Sequence, residues 1–256
     1  MERSPTSKGA TALSIVIPAY NEATRIVDSL QRILEYAEKR FECFEIVVVD
    51  DCSSDETIKV VEAFSHASIR CLRNAANFGK GYSVRRGMLE ARYDLVVFSD
   101  ADLSAPIEEI EKLIEAWRDG ADVAIGSRRL SRAQDVRRSL WRRFLGWGFS
   151  VLVGVLVVRG FRDTQCGFKL FTRAASRVIF PYQRIDRWGF DAELLCIARK
   201  RRLEIREVPV RWYQSGGTRL KWWTPLLMAF ELVRIRWYSV LGRYRRDPSK
   251  EKAVKI

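Results

Sequence analysis

The first half of the chain alternates short apolar runs with longer amphipathic stretches. The length and composition of the apolar runs predict buried strands at residues 13–20, 44–51, 69–74, 94–100 and 122–127. Between them, apolar residues recur at helical spacing over 22–40, which predicts a helix there. Further helices are expected over 54–65 and 106–118, and residues 77–88 should form a glycine-containing turn that leads into a helix. This alternation predicts an α/β fold with a mostly parallel sheet buried between helices.

Two local signals mark where helices should begin. Ser53 and Glu56 have the spacing of a capping box, in which each residue's side chain binds a backbone N–H of the other, for the helix over 54–65. Pro106 suits the first turn of the helix over 106–118, because the first N–H groups of a helix have no partner within it.

The second half of the chain has a different character. Residues 128–144 are rich in arginine and lead into the apolar stretch 145–158, which is too short to span a bilayer at the ~20 residues this needs. Arginines and Trp141 precede this stretch and Trp147 lies near its start. This favours a helix over 139–159 in the membrane interface, with a buried core helix as the alternative.

The C-terminal part adds two strands and two helices. We expect a loop entering a strand at 160–171, a helix over 187–202 and a last strand over 203–212. Residues 221–246 predict an amphipathic helix that carries Trp222, Trp223 and Trp237. Charged residues interrupt its apolar face, so it should lie on a membrane rather than cross it; the alternative is a packing helix with a solvated basic face. We therefore predict no spanning helix.

Composition narrows the classes of partner and of chemistry. The chain has 256 residues and a formal net charge of +13, which favours an anionic partner: nucleic acid, a membrane surface or a phosphorylated substrate. Its 5 cysteines are odd in number and include no Cys-x-x-Cys pair, which indicates reduced thiols and a cytosolic setting. With 1 histidine, a histidine-based triad or a histidine-rich zinc site is excluded.

Acidic residues gather where the predicted strands end. Glu22 follows the first strand, Asp50 and Asp51 end the second, and Asp100 and Asp102 end the fourth. Parallel sheets bind ligands outside the carboxyl ends of their strands, so these groups should share one crevice. Helix caps would account for one carboxylate per helix, not for pairs. An Asp-x-Asp at such a place suits Mg²⁺ or Mn²⁺ bound together with a diphosphate.

Three other readings compete with a metal-dependent enzyme. A nucleic-acid-binding protein would explain the net charge but not the acidic strand ends, so no nucleic-acid partner is expected. A dinucleotide-binding Rossmann enzyme needs G-x-G-x-x-G after the first strand, and the turn Gly79-Lys80-Gly81 does not provide it. A catalytically inactive protein that binds sugar nucleotides would not need the intact acidic pair.

Several motifs together resemble one family. The stretches IVIPAYNE (15–22), VVVDDCSSDET (47–57), NFGKG (77–81) and FSDADLS (98–104) resemble the GT-A glycosyltransferases of the large inverting family 2. The stretches GSR (126–128), RDTQCGFKLF (162–171), RWGFDAELL (187–195) and GGTRL (216–220) resemble the polyprenyl-phosphate hexosyltransferases, and DTQCGFKLF is most similar to the dolichyl-phosphate β-glucosyltransferases. The resemblance covers roughly residues 13 to 240.

The resemblance implies an activity. It implies transfer of glucose from UDP-glucose to a dolichyl or undecaprenyl phosphate, with inversion, Mg²⁺ or Mn²⁺ as cofactor, and a β-linked lipid-phosphate sugar as product. The alternative within the class is mannosyl transfer from GDP-mannose, and the alternative outside it is a basic nucleic-acid- or membrane-binding module without catalysis. The expected location is the cytoplasmic face of a membrane, held by interfacial helices.

The resemblance also implies roles for individual residues. Asp100, Asp102 and Arg128 would be catalytic: the two aspartates hold metal and diphosphate, with Asp102 the direct ligand, and Arg128 clamps a phosphate. Asp51 would accept a hydrogen bond from the base, while Asp50 fixes its loop. The other expected contacts of the nucleotide sugar are Pro18, Ala19, Tyr20, Glu22, Val49, Lys80, Ala101, Ser104 and Asp191.

A separate set would bind the acceptor phosphate or the diphosphate, namely Arg138, Arg142, Asp163, Gln165 and Arg219. The alternatives are attraction to anionic lipid for these arginines, and structural capping for Asp163, Gln165 and Asp191. Two positions depart from the family: Ser104 stands where some relatives have Gln, and Arg219 stands where Lys is usual.

The expected organisation follows from these assignments. Residues 1–11 would be a flexible arm and 12–212 the catalytic domain, including the interfacial helix over 139–159. Residues 213–246 would form an acceptor loop and the membrane-associating helix, and 247–256 a flexible tail.

Overall fold

A single seven-stranded sheet organises the computed structural model, which describes residues 12–130, 140–213, 224–245 and 247, and only the backbone of 140–147. The strands are β1 Leu13–Ala19, β2 Phe44–Asp50, β3 Ile69–Arg73, β4 Leu95–Ser99, β5 Val123–Ser127, β6 Phe168–Thr172 and β7 Ile205–Pro209. Their spatial order is β3-β2-β1-β4-β6-β5-β7. All neighbouring pairs are parallel except those of β6, which runs antiparallel to both β4 and β5. The predicted α/β class and mostly parallel sheet are therefore confirmed.

Helices cover both faces of this sheet. They are α1 Ile26–Arg40, α2 Thr57–Ala63, α3 Lys80–Glu90, α4 Ile110–Arg118, α5 Leu140–Leu156, α6 Arg173–Ile179, α7 Phe190–Lys200 and α8 Thr224–Val240. One apolar cluster packs α1 and α4 on one face, and a second packs α3, α6 and α7 on the other. Because both faces are buried, the strands are near-continuous apolar runs.

Some local predictions need correction. The capping box at Ser53 and Glu56 does not form: α2 begins at Thr57, its preceding residue makes no side-chain cap, and Ser53 instead donates its N–H to Asp50. Pro106 precedes a single 3₁₀ turn, Ile107–Glu109, before α4 begins.

Helix α6 was not predicted from the sequence at all. It is 7 residues long, too short for a clear apolar period. Thr172 accepts a hydrogen bond from the backbone N–H of Ala175, 3.1 Å away. That capping threonine is the signal that could have revealed the helix.

Helix α8 presents an unusual surface. Its inward stripe is Thr224, Glu231, Leu232 and Ile235. The large apolar residues face outward instead, with Leu226 70%, Phe230 62%, Trp237 63% and Val240 67% exposed. On α5, which packs against α8, Val151 and Val155 are exposed in the same way. We call these six residues the outer apolar face. No helix in the described ranges is long and apolar enough to cross a membrane.

Candidate active site

The loops that follow β1 and β2 are tied together by side chains. Asn21 adopts a left-handed backbone (φ 53°), and its side-chain oxygen accepts the N–H of Ser54 at 2.8 Å. The N–H of Asn21 in turn donates to Ser53 Oγ, and the N–H of Glu22 donates to Thr57 Oγ1. This exchange fixes the backbone that carries Tyr20 and Glu22. Tyr20 is 40% exposed there, and the Glu22 carboxylate forms an ion pair with Arg25.

The two aspartates at the end of β2 are both buried and bind the protein itself. Asp50 accepts the N–H of Ser53. Asp51 accepts three hydrogen bonds, from Asn74 Nδ2 at 2.8 Å, Phe78 N at 3.1 Å and Gly79 N at 2.8 Å. Asp51 therefore holds the loop that leads into α3. The predicted contact of Asp51 with a base stays a prediction, and it would have to be made by a carboxylate already engaged with these donors.

The Asp-x-Asp segment forms a tight turn at the end of β4. The N–H of Leu103 donates to the carbonyl of Asp100 at 3.1 Å, and Leu103 adopts a left-handed backbone (φ 46°). Ala101 and Leu103 point into the core, each 5% exposed. The alternating Asp100 and Asp102 are turned away from that core, and the N–H of Ser104 donates to Asp102 Oδ1 at 2.9 Å.

Four side chains of alternating charge run from this turn into the protein. Lys80, the first residue of α3, forms an ion pair with Asp100. Burial alone would lower the pKa of Lys80, but the carboxylates of Asp100, Asp191 and Asp102 outweigh it and the pKa is raised. Asp191, in the first turn of α7, is ion-paired with Lys169. Burial raises the pKa of Asp191, and the two lysines oppose that shift.

Lys169 is the member of this group that was not predicted. It is fully buried in β6, where its ammonium donates to the carbonyl of Cys166 at 2.5 Å and lies 5.3 Å from the centre of the Phe98 ring. A charge at this depth is stable only with partners. The available signal was a single lysine inside the apolar strand FKLF.

Arg128 and Asp163 meet in a second ion pair at the end of β5. Arg128 donates from Nε at 2.6 Å and from Nη2 at 2.8 Å to the two carboxylate oxygens, and its guanidinium lies over the ring of Trp212. Burial opposes the charge on Asp163, but Arg128 lowers the pKa of this carboxyl to about 2. The forked edge that was predicted to clamp a phosphate is occupied by Asp163, so a clamp would require the pair to separate or another edge of the guanidinium to be used.

The loop between α5 and β6 contributes a polar group without a partner. The side-chain nitrogen of Gln165 is buried and makes no hydrogen bond to any described residue. Its neighbour Cys166 is buried, and burial raises the pKa of that thiol to about 12, which excludes a thiolate nucleophile. Gln165 is thus the donor in this loop that a bound molecule could use.

Burial limits how several of the predicted contacts could be made. The side chains of Ala19, Val49 and Ala101 lie in the core at 2%, 0% and 5% exposure. Any contact of a nucleotide sugar at these positions would therefore have to use the backbone. Ser104 is 5% exposed and Pro18 is partly buried. Arg138 and Arg219 lie outside the described residues, as does the side chain of Arg142.

The Asp100–Asp102 turn fits a divalent cation. Magnesium and manganese sites of this kind need one or two carboxylates, completed by water and substrate phosphates. No larger cluster of acidic, histidine or cysteine ligands occurs in the described ranges. The Asp100 carboxylate lies so close to Gly167 that a Cβ there would be 2.4 Å from Oδ2. A side chain at Gly167 would therefore displace the Asp100 carboxylate.

Comparison with known proteins gives a family assignment for this architecture. The sequence model of glycosyl transferase family 2 matches residues 14–180. A dolichyl-phosphate beta-glucosyltransferase of Trichomonas vaginalis is 41% identical over 242 residues, covering 90% of this chain and 72% of that protein. The dolichyl-phosphate beta-glucosyltransferase of Mus musculus is 38% identical over 265 residues, covering 97% and 81%.

Solved structures show the same fold at much lower identity. One is glucosyl-3-phosphoglycerate synthase from Mycobacterium tuberculosis, in complex with Mn²⁺, UDP-glucose and phosphoglyceric acid. It superposes with a TM-score of 0.66 at 18% identity, covering 91% of this chain and 80% of that one. At this identity the likeness concerns the fold alone.

Proposed function

Because this chain belongs to glycosyl transferase family 2, we propose that it transfers glucose from UDP-glucose to a polyprenyl phosphate, with inversion at the sugar carbon. The donor and acceptor classes follow from the names of the relatives reported above. The observation that carries the proposal is the pair of carboxylates at the end of β4, Asp100 and Asp102, beside the ammonium of Lys80.

The donor side of the crevice is built for a charged diphosphate. Asp100 and Asp102 would hold the divalent cation, which when bound neutralises the charge that develops on the departing nucleotide diphosphate. Lys80 lies beside them, so its ammonium is within reach of the same phosphates. Tyr20, which is exposed in the loop after β1, would border the base. Asp191 would accept hydrogen bonds from sugar hydroxyls while Lys169 holds its carboxylate in place.

The acceptor side needs no strong general base. A phosphate monoester has its second pKa near ~6, so at neutral pH its oxygen is largely ionised and can attack without losing a proton. The protein's task is to align two anions despite their repulsion. We assign this task to Arg128, with Asp163 orienting its guanidinium, and to Gln165 as a neutral donor.

The outer apolar face would bring the crevice to the lipid. It combines exposed aliphatic side chains with Phe230 and Trp237, and the exposed Arg234 and Arg236 lie on the same helix. Aromatic and apolar groups enter the headgroup boundary while arginines bind anionic headgroups. We propose that α8 and α5 lie in the membrane interface and that the catalytic unit spans residues 12–212.

The first experiment is a donor panel. Labelled UDP-glucose, UDP-galactose and GDP-mannose are each incubated with the protein and a polyprenyl phosphate in vesicles, with Mg²⁺ or Mn²⁺ and with EDTA. We expect lipid-linked product from UDP-glucose alone, and none with EDTA. Product from GDP-mannose alone would move the protein to mannosyl transfer. Nucleotide binding without product from any donor would contradict the proposed acceptor.

A further inference from the structure

Helix α7 begins without a cap of its own. The residue at its N-cap is Gly189, which has no side chain to bind the first free N–H groups of the helix. The missing acceptor comes from α8: Glu231 Oε2 accepts the N–H of Gly189 at 2.7 Å. Glu231 is 8% exposed and lies beside the apolar Leu232 and Ile235 on the inward stripe of α8. A buried carboxylate is costly except at such a place, where a helix N-terminus favours negative charge.

The contact between the two helices is also sterically close. A Cβ built on Gly189 would lie 2.9 Å from Glu231 Cβ and 3.0 Å from Oε2. The backbone of Gly189 has φ −77°, which any residue can adopt, so the glycine is needed for the approach of α8 and not for its backbone conformation.

Residues 183–189, which we call the bridging loop, hold the start of α3 in turn. The carbonyl of Asp186 accepts the N–H of Tyr82 at 3.0 Å, and Gln183 Nε2 donates to the carbonyl of Gly81 at 2.8 Å. A Cβ on Gly79 would lie 2.5 Å from the Asp186 carbonyl oxygen, and a Cβ on Gly81 would lie 2.8 Å from the carbonyl oxygen of Ile185. The residue between these two glycines is Lys80.

One loop therefore borders both Lys80 and Asp191. It packs against the glycines on either side of Lys80, and it runs directly into the first turn of α7, which carries Asp191. At its end it is fastened to α8 through Glu231, and the opposite side of α8 is the outer apolar face. The contacts are continuous from that face to the ion pair of Lys80 with Asp100.

We propose that Glu231 is a positioning residue for donor binding: it fixes the bridging loop so that Lys80 and Asp191 occupy their places in the crevice, which links the seating of α8 to the donor site. This inference rests on the proposed function, since it concerns the donor of that reaction. Glu231 acts through the loop and touches no substrate.

The test compares two substitutions of nearly equal size. Glu231→Gln keeps a side-chain oxygen that can accept the Gly189 N–H, whereas Glu231→Met keeps the volume and removes the acceptor. Leu232→Val is the matched control, because it loosens the packing of α8 without touching that hydrogen bond. For each protein the KM of UDP-glucose, the KM of the polyprenyl phosphate and kcat are measured on vesicles of phosphatidylcholine and phosphatidylserine. The fraction of protein bound to these vesicles and the melting temperature are measured as well.

We expect Glu231→Met to raise the donor KM about tenfold, an effect typical of coupling between sites, with the acceptor KM and the vesicle-bound fraction within about twofold of wild type. Glu231→Gln should stay within about twofold of wild type in both KM values and in kcat, and should keep the wild-type melting temperature. Should Glu231→Met fail to fold, Gly189→Ala replaces it, because its Cβ displaces Glu231 and should raise the donor KM in the same way.

Two results would overturn the inference alone: an unchanged donor KM in the variant that lacks the contact, or an equal rise in Leu232→Val. A wild-type protein that binds and transfers no UDP-glucose would instead overturn the proposed function, and the inference with it. The wild-type measurement therefore separates the two failures.

Discussion

The ends of β2 and β4 carry the same residues and use them differently. Each ends in two aspartates, Asp50 and Asp51 on one strand and Asp100 and Asp102 on the other. The first pair is at most 3% exposed: Asp50 accepts the N–H of Ser53, and Asp51 accepts the N–H groups of Phe78 and Gly79. The second pair sits on a tight turn whose other residues are in the core, and its charge is opposed by Lys80.

The difference shows that a carboxylate at a strand end has two possible uses. At β2 the acceptors stabilise backbone N–H groups that would otherwise be buried without partners. At β4 the turn directs two carboxylates away from the core, beside a lysine. Their negative charge is the kind that a bound cation could neutralise. The first pair should therefore matter chiefly for stability and the second chiefly for turnover.

The largest expected effect is on the second pair. Asp102→Asn should lower kcat by on the order of 10³-fold, because the neutral amide no longer holds the cation that stabilises the leaving diphosphate. The melting temperature should stay within a few degrees of wild type, since Asp102 lies on the side of its turn that faces away from the core. Transfer assays across a Mn²⁺ titration and thermal unfolding measure the two quantities. Wild-type turnover would remove the distinction between the strand ends.

The next effect concerns the ion pair behind the crevice. Lys169→Met leaves the buried Asp191 without its nearest cation and should destabilise the fold by about 3–5 kcal/mol. Adding Asp191→Asn removes the uncompensated charge and should restore most of that stability, measured by denaturant unfolding. Transfer should remain low in the double variant. Full recovery of transfer would mean that the ion pair of Lys169 and Asp191 has a structural role, like Asp50 and Asp51 at the end of β2.

Much of the fold could be predicted because it follows from local patterns. Apolar runs gave all five of the first strands, and the rule that ligands bind at their carboxyl ends brought Asp51, Asp100 and Asp102 to one edge. The insertion of β6 between β4 and β5 could not be predicted in this way, since it depends on pairing between segments far apart in the chain. Lys169 was missed for the same reason: its partner Asp191 is 22 positions away.

The roles of individual carboxylates were harder to predict than their location. The sequence around Asp50 and Asp51 does not reveal that the loop at 74–79 donates hydrogen bonds to Asp51. Nor does the sequence reveal that the guanidinium of Arg128 pairs with Asp163, where a phosphate was predicted. Likewise the apolar pattern of α8 suggested its outward face, but only packing shows that Glu231 faces inward to cap α7. Hydrogen bonds between distant segments decide these roles.

A smaller effect is expected at the end of β2. Asp51→Ala removes the acceptor of three hydrogen bonds and leaves the buried N–H groups of Phe78 and Gly79 without it. This should lower the free energy of unfolding by about 3 kcal/mol. Donor affinity of the folded fraction, measured by calorimetry below the melting transition, should fall much less than in Asp102→Asn. A loss of affinity at unchanged stability would group Asp51 with Asp100 and Asp102.

The smallest effect extends the structural group to another buried carboxylate of α7. Glu193 in α7 is fully buried and accepts hydrogen bonds from Tyr244 Oη at 2.6 Å and from the N–H of Ile185 at 2.8 Å. Burial raises its pKa to about 7 from an ordinary value of 4.5, although these donors oppose the shift. The folded protein therefore binds a proton between pH 4.5 and 7 that the unfolded chain has released.

The free energy of unfolding must then fall as the pH rises through this window, because only the folded state still holds this proton. It levels off above about 7, where both states have lost it. The pair of Arg128 and Asp163 adds no slope in this range, since the lowered pKa of Asp163, about 2, leaves it ionised in both states. Glu193→Gln has no proton to lose, so its curve should be flatter and about 2–3 kcal/mol higher than wild type at pH 8. Urea unfolding of both proteins from pH 5 to 8 gives the difference. Parallel curves would mean that Glu193 is ionised throughout, held by Tyr244 as firmly as Asp163 is held by Arg128.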